Sequence, residues 1–230
     1  MEKQGLQRMA LLLSGLLATP AVSGAVPDLC QHGRRQSPID IVSPVSQVLP
    51  PILFRYRDGP LTLTNDGHTV RVRIADGNRM IVGKETHVLQ QIHFHTPSGD
   101  RIGGKEFDMA AHFLHKSASG QLVVVVALFR KGSENWALAG LLPRIPKQVN
   151  GHHKGADFAF NPTDLLPTER QYYSYQGSLT AFPCSEGVKW LLMKQPLELS
   201  AEQLTYYKTL FPDNARPVQP LNGRVVKESL

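Results

Sequence analysis

The pentapeptide Gln91-Ile92-His93-Phe94-His95 constrains this chain more than any other stretch. As a β-strand it puts His93 and His95 on one face, with Ile92 and Phe94 on the other, because strand side chains alternate. Downstream, Ala110-Ala111-His112-Phe113-Leu114-His115 has the same character. There His112 shares a face with Ala110 and Leu114, while His115 points the opposite way. Two imidazoles two residues apart and a third from an adjacent strand can converge on one point. Three neutral imidazoles suit Zn²⁺ and leave its fourth tetrahedral position open, as a catalytic zinc requires. Ordinary sheet histidines at the same spacing are the alternative, and the neighbouring segments must decide between the two.

Those segments are rich in strands. From Ile52 to Val82 the chain alternates, as in Leu61-Thr62-Leu63-Thr64 and Val70-Arg71-Val72-Arg73-Ile74, with tight turns at Asn65-Asp66-Gly67 and Asp76-Gly77-Asn78. Further strands are predicted over 87–95, 106–115 and 121–129, and the last is apolar enough to be buried on both faces. Residues 135–142 have helical spacing and predict a short surface helix, ended by Pro143 and Pro146. Strands follow over Tyr172–Leu179 and Val188–Met193, and Ser200 is a good cap for a second helix. Residues 26–50 read as loop, 147–170 as mixed, with Asn161-Pro162 and Leu166-Pro167 as breakers and a short turn between them, and 214–220 as extended. With 230 residues, 41% hydrophobic and 19% charged, the chain has the composition of one globular domain rather than of a disordered segment. The expectation is one mostly β domain with short helices, built on a large twisted sheet.

Lys3 and Arg8 precede the apolar run from Met9 to Ala18, and Ser23-Gly24-Ala25 follows. That pattern predicts a signal peptide over residues 1–25 and a domain over 26–230, hence an exported protein, periplasmic or secreted. The apolar run is too short to cross a bilayer, and no second one exists, so no membrane insertion is expected. Pro27-Asp28-Leu29 before Cys30 is not a lipid-attachment box. Two cysteines in an exported chain, Cys30 and Cys184, predict one disulfide, with two separate buried thiols as the alternative. The net charge is +6, of which residues 1–25 contribute Glu2, Lys3 and Arg8. The basic residues are scattered and no aromatic stacking motif accompanies them, so no nucleic-acid partner is expected. Oligomeric state is not legible.

Several ordered motifs together resemble the α-class carbonic anhydrases, of the exported bacterial type. They are Gln36-Ser37-Pro38-Ile39-Asp40-Ile41, Asn65-Asp66-Gly67-His68, Gln91 to Ser98, His112 to His115, Tyr175 to Thr180, Cys184 to Trp190, and Arg216 to Asn222. The resemblance covers about Cys30 to Glu228. It implies a single domain around a large, mainly antiparallel twisted central sheet, and reversible hydration of CO₂ to bicarbonate and a proton with Zn²⁺ as cofactor. Residue by residue, it makes His93, His95 and His112 the zinc ligands and Thr180 the hydroxyl that orients the zinc hydroxide. Gln91 becomes the partner of His93, His68 the proton shuttle, and Leu114, Val124, Leu179 and Trp190 the wall of the CO₂ pocket. His115 is expected to sit satisfied behind its strand, and His32, His87, His152 and His153 at the surface.

The chain departs from that family at several points. An acid followed by histidine is replaced by Gly99-Asp100, which removes the acceptor for the Thr180 hydroxyl unless Asp100 takes its place. A glutamate two residues before the third ligand is replaced by Ala110, on the face of His112. Leu114 is bulkier than the usual valine, and the family's stretch rich in Trp and Tyr before the first motif is short. Two readings follow: a carbonic anhydrase of reduced efficiency, or a catalytically weak or inactive zinc-binding or interaction module on the same fold. A cupin-like metal oxidase would need a glutamate where Gly99 and Asp100 stand.

Overall fold

The alternation seen in the sequence becomes burial. In Gly59–Asn65 (β1), Leu61 and Leu63 are buried while Thr62 and Thr64 are half-buried; in Val70–Ile74 (β2), Val70 and Val72 are buried while Arg71 and Arg73 are exposed. The computed structural model describes residues 28–230, so the expected signal peptide lies outside the described residues. The remaining long strands are Glu85–His95 (β3), Met109–Ser117 (β4), Leu122–Lys131 (β5), His152–Phe160 (β6), Tyr172–Ser178 (β7) and Glu186–Met193 (β8). They belong to a 13-stranded sheet in the order β6-β1-β2-β3-β4-β5-β8-β7, extended by Lys227–Ser229 and Val45–Gln47. Most neighbours are antiparallel, but β5 pairs with β8 in parallel. A separate three-stranded sheet carries Asp40–Ile41 and Arg101–Ile102.

Strand β5 explains the two cores. Val123, Val125, Ala127 and Phe129 join a cluster with Phe94, Phe113 and Tyr207, while Val124, Val126 and Leu128 join Ile39, Tyr175 and Trp190 on the other face. Every one of those β5 side chains is buried, which is why the run shows no alternation of polarity. A fully buried phenylalanine such as Phe113 contributes on the order of 2–3 kcal/mol. Two helices close over the first cluster. Trp136–Leu141 (α1) is capped by the Asn135 side chain and buries Ala137, Leu138 and Leu141 while Trp136 stays exposed. Ala201–Leu210 (α2) begins with a capping box in which Ser200 and Gln203 satisfy each other's backbone N–H groups.

Three expectations need correction. Residues 26–50, read as loop, hold a short helix at Leu29–His32 and short strands at Asp40–Ile41 and Val45–Gln47. Residues 147–170 contain a nine-residue strand, β6, at the edge of the sheet against β1. Its first half is polar with Gly155 at a register irregularity, and only Phe158 and Phe160 at its end stand two residues apart, so the strand signal is weak. His87 is buried, because it faces inward opposite Met80 and Ser117. His115 sits behind its strand as expected, with Nε2 2.6 Å from the Tyr56 hydroxyl and Nδ1 2.9 Å from the Phe113 carbonyl.

Cys30 and Cys184 form the expected disulfide, closing a loop of sequence separation 154. On the chain-entropy model such a loop is worth about 5 kcal/mol. Among the described residues no helix is long and apolar enough to cross a membrane.

Candidate metal centre

Strand register brings the three histidines together. His93 on β3 lies directly opposite His112 on β4, and His95 lies opposite Ala110, one step along the same face. Their ring centroids are 4.6 to 5.2 Å apart, and one ligand-capable atom from each lies within 4.8 Å of the others. Phe94, Ala111 and Phe113 alternate into the core behind and hold both strands in place. This is the convergence that the spacing predicted.

The rings fit a zinc ion chemically. The Asn214 carbonyl accepts from His95 Nδ1 at 3.1 Å; since a carbonyl only accepts, the neutral ring carries its lone pair on Nε2. That Nε2 is buried with no hydrogen-bond partner, as are Nδ1 of His93 and Nε2 of His112. Burial pushes His93 and His112 well below the ordinary imidazole range and His95 down to about 4, so all three are neutral ligands at neutral pH. Three neutral imidazoles in one pocket, each able to offer one ring nitrogen, are the donor set of a catalytic zinc.

The histidines form the base of a cavity of about 190 Å³. Leu114, Val124, Leu179 and Trp190 give it an apolar lining, Asp66, His68, Arg71 and Gln91 a polar one, and Thr69, Thr180, Ala181 and Phe182 also line it. The Trp190 indole donates to the Ser178 carbonyl at 3.0 Å and fixes the end of β7. Leu179 N–H donates to the Ser185 carbonyl, so Thr180 rides on a short loop that the Cys30–Cys184 bridge ties down. His68 is exposed on its turn, 6.2 Å ring to ring from His95. Asp66 Oδ1 accepts from the His68 and Thr69 N–H groups at 2.9 and 2.8 Å, and Asn214 Nδ2 donates to the His68 carbonyl at 2.8 Å. Asn214 therefore joins the His68 turn to His95, a link that sequence reasoning missed because it spans distant segments.

The supporting partners are thin. Gln91 lines the cavity, yet His93 Nδ1 makes no hydrogen bond among the described residues. Ala110 offers His112 Nε2 nothing, which accounts for that orphaned nitrogen. At Gly99 a void of about 10 Å³ opens between Thr180, His95, His112 and Ala215. Gly99 has φ +79°, and a Cβ there would lie 3.2 Å from Pro38, so the backbone itself favours glycine.

The structure does not bring Asp100 to Thr180. Its Oδ1 accepts from Ile39 N–H at 3.1 Å and from the Tyr175 hydroxyl at 3.0 Å, and Oδ2 is buried without a partner. Burial, only partly offset by those two bonds, raises its carboxyl from 3.8 to about 7. The folded state therefore binds this proton more tightly than the unfolded chain, and stability falls as pH rises between about 4 and 7. Asp100→Asn keeps an acceptor for both donors and removes the ionisation. Its denaturation midpoint should exceed the parent's at pH 8 and differ less at pH 4, with CO₂ hydration unchanged. An identical pH profile in the two proteins, or lost hydration, would contradict this placement.

Comparison with known proteins agrees with the fold and the site. The family model described as eukaryotic-type carbonic anhydrase matches residues 23–230. A carbonic anhydrase of Klebsiella pneumoniae is 41% identical over 202 residues, covering 86% of this chain and 82% of the relative. One from Pectobacterium carotovorum is 39% identical, covering 86% and 81%. The solved α-carbonic anhydrase of Thermovibrio ammonificans, in complex with the inhibitor sulfanilamide, superposes with a TM-score of 0.83 at 38% identity, covering 88% of this chain and 89% of that one. The ordered motifs, the sheet and the histidine cluster thus have one common explanation: the chain belongs to the eukaryotic-type (α) carbonic anhydrase family.

Proposed function

We propose that the protein is a zinc-dependent carbonic anhydrase that interconverts CO₂ with bicarbonate and a proton, with the efficiency limited by its thinned ligand support. The observation that carries this reading is the set of three neutral imidazoles at the base of a cavity with one apolar wall. His93, His95 and His112 hold the ion. When bound, zinc acts as a Lewis acid that makes a water nucleophilic near neutral pH.

The chain's own residues do the rest. Leu114, Val124, Leu179 and Trp190 give neutral, weakly hydrated CO₂ an apolar surface beside the histidines. Thr180 lines the same cavity, and its hydroxyl would orient the attacking water. The proton that this water loses must reach bulk solvent. His68 suits the task, because an imidazole accepts and releases protons near neutral pH and this one stands exposed at the rim, close to His95. The disulfide and the leader-like N-terminus support action in an oxidising compartment, the periplasm or outside the cell, by a mature domain spanning 26–230.

Removing the relay tests this assignment. In weakly buffered solution His68→Ala should slow CO₂ hydration roughly a hundredfold, and added imidazole should restore most of the loss. A slowed variant that imidazole fails to restore would contradict the role given to His68.

A further inference from the structure

Arg71 stands where sequence reasoning assigned nothing. The β2–β3 register pairs Val72 with Ile92, and in an antiparallel ladder this sets Arg71 directly across from His93. Both residues line the cavity, whereas Val72 and Ile92 turn into the core. Asp66 grips the guanidinium from the rim side, Oδ2 accepting from Nε at 2.6 Å. The same carboxylate accepts from the His68 and Thr69 N–H groups, so one side chain holds both the turn and the arginine. Its Nη edge makes no hydrogen bond among the described residues, and about half of the side chain is accessible.

We propose that Arg71 is a specificity residue of this cavity, an anchor for small planar oxyanions that offers them its Nη edge. Bicarbonate is the member of that class that the proposed reaction makes and consumes, and the inference rests on that reading. The cavity then sorts the two carbon species by chemistry. CO₂, neutral and linear, gains from the apolar wall and nothing from a guanidinium. Bicarbonate, planar and anionic, matches the two parallel N–H groups of an arginine fork better than a point charge.

The test uses the cobalt-substituted protein, whose visible spectrum reports anion binding at equilibrium without turnover. Titrated with bicarbonate and with nitrate, Arg71→Gln should bind both roughly tenfold more weakly than the parent. Arg71→Lys, which keeps the charge and loses the fork, should recover only part of the difference. Equal affinity in parent and Arg71→Gln, with cobalt bound in both, would overturn the role of Arg71 and leave the metal reading intact. A parent chain that takes up no cobalt would overturn both.

Discussion

Ala110→Glu is expected to slow zinc loss to a chelator by ten- to a hundredfold, the range found when a metal ligand gains or loses its outer hydrogen-bond partner. Ala110 and His112 share a face of β4, and His112 Nε2 is buried without a partner. A carboxylate on position 110 has the reach to accept from that nitrogen, which fixes the tautomer and leaves the other ring nitrogen for the metal. The cost is steric and electrostatic. Ala110 is fully buried among Val126, Leu128 and Trp190, so the larger side chain should lower stability by about 1–3 kcal/mol. Ala110→Gln brings the same bulk without the charge and should slow zinc loss less. Chelation kinetics on the three folded proteins decide the matter: equal rates for Ala110→Glu and the parent would mean that the acid never reaches His112.

Gly99 does not respond to the same treatment. An acid there would fill the void beside Thr180, but position 99 has a left-handed backbone and Pro38 crowds it. The two missing acids are therefore unequal: position 110 needs only a side chain, while position 99 also needs a different turn. Asp100 cannot make up the loss from where it lies, since its carboxyl is committed to Ile39 and Tyr175.

Much of the site was legible because period-two alternation is a rule of covalent geometry. The His93-Phe94-His95 triplet and His112 could be assigned to one face before any distance was known. The ordered motifs then supplied the reaction, and their gaps at Gly99 and Ala110 pointed to the void and the orphaned nitrogen. What escaped were features set by partners far away in sequence. β6 is a strand largely because β1 offers it an edge, since only Phe158 and Phe160 at its end alternate. Arg71 reads as an ordinary exposed strand residue until register places it across from His93. Asn214 gives no local signal, yet it ties the His68 turn to a metal ligand.

His112→Ala should have the largest effect of any single change. It leaves two of three imidazoles and opens a gap beside Trp190, whose ring centroid lies 5.1 Å from that of His112. Two imidazoles do not complete the three-ligand set that holds a catalytic zinc. Zinc should be lost at micromolar supply and hydration should fall to the uncatalysed rate, while the disulfide and the two cores keep the fold. The central claim is therefore tested most directly by measuring zinc content and stopped-flow CO₂ hydration on one preparation of the mature protein, beside His112→Ala. One zinc per chain, with hydration well above that variant, is the predicted result. Stoichiometric zinc with hydration no faster than His112→Ala would contradict the account.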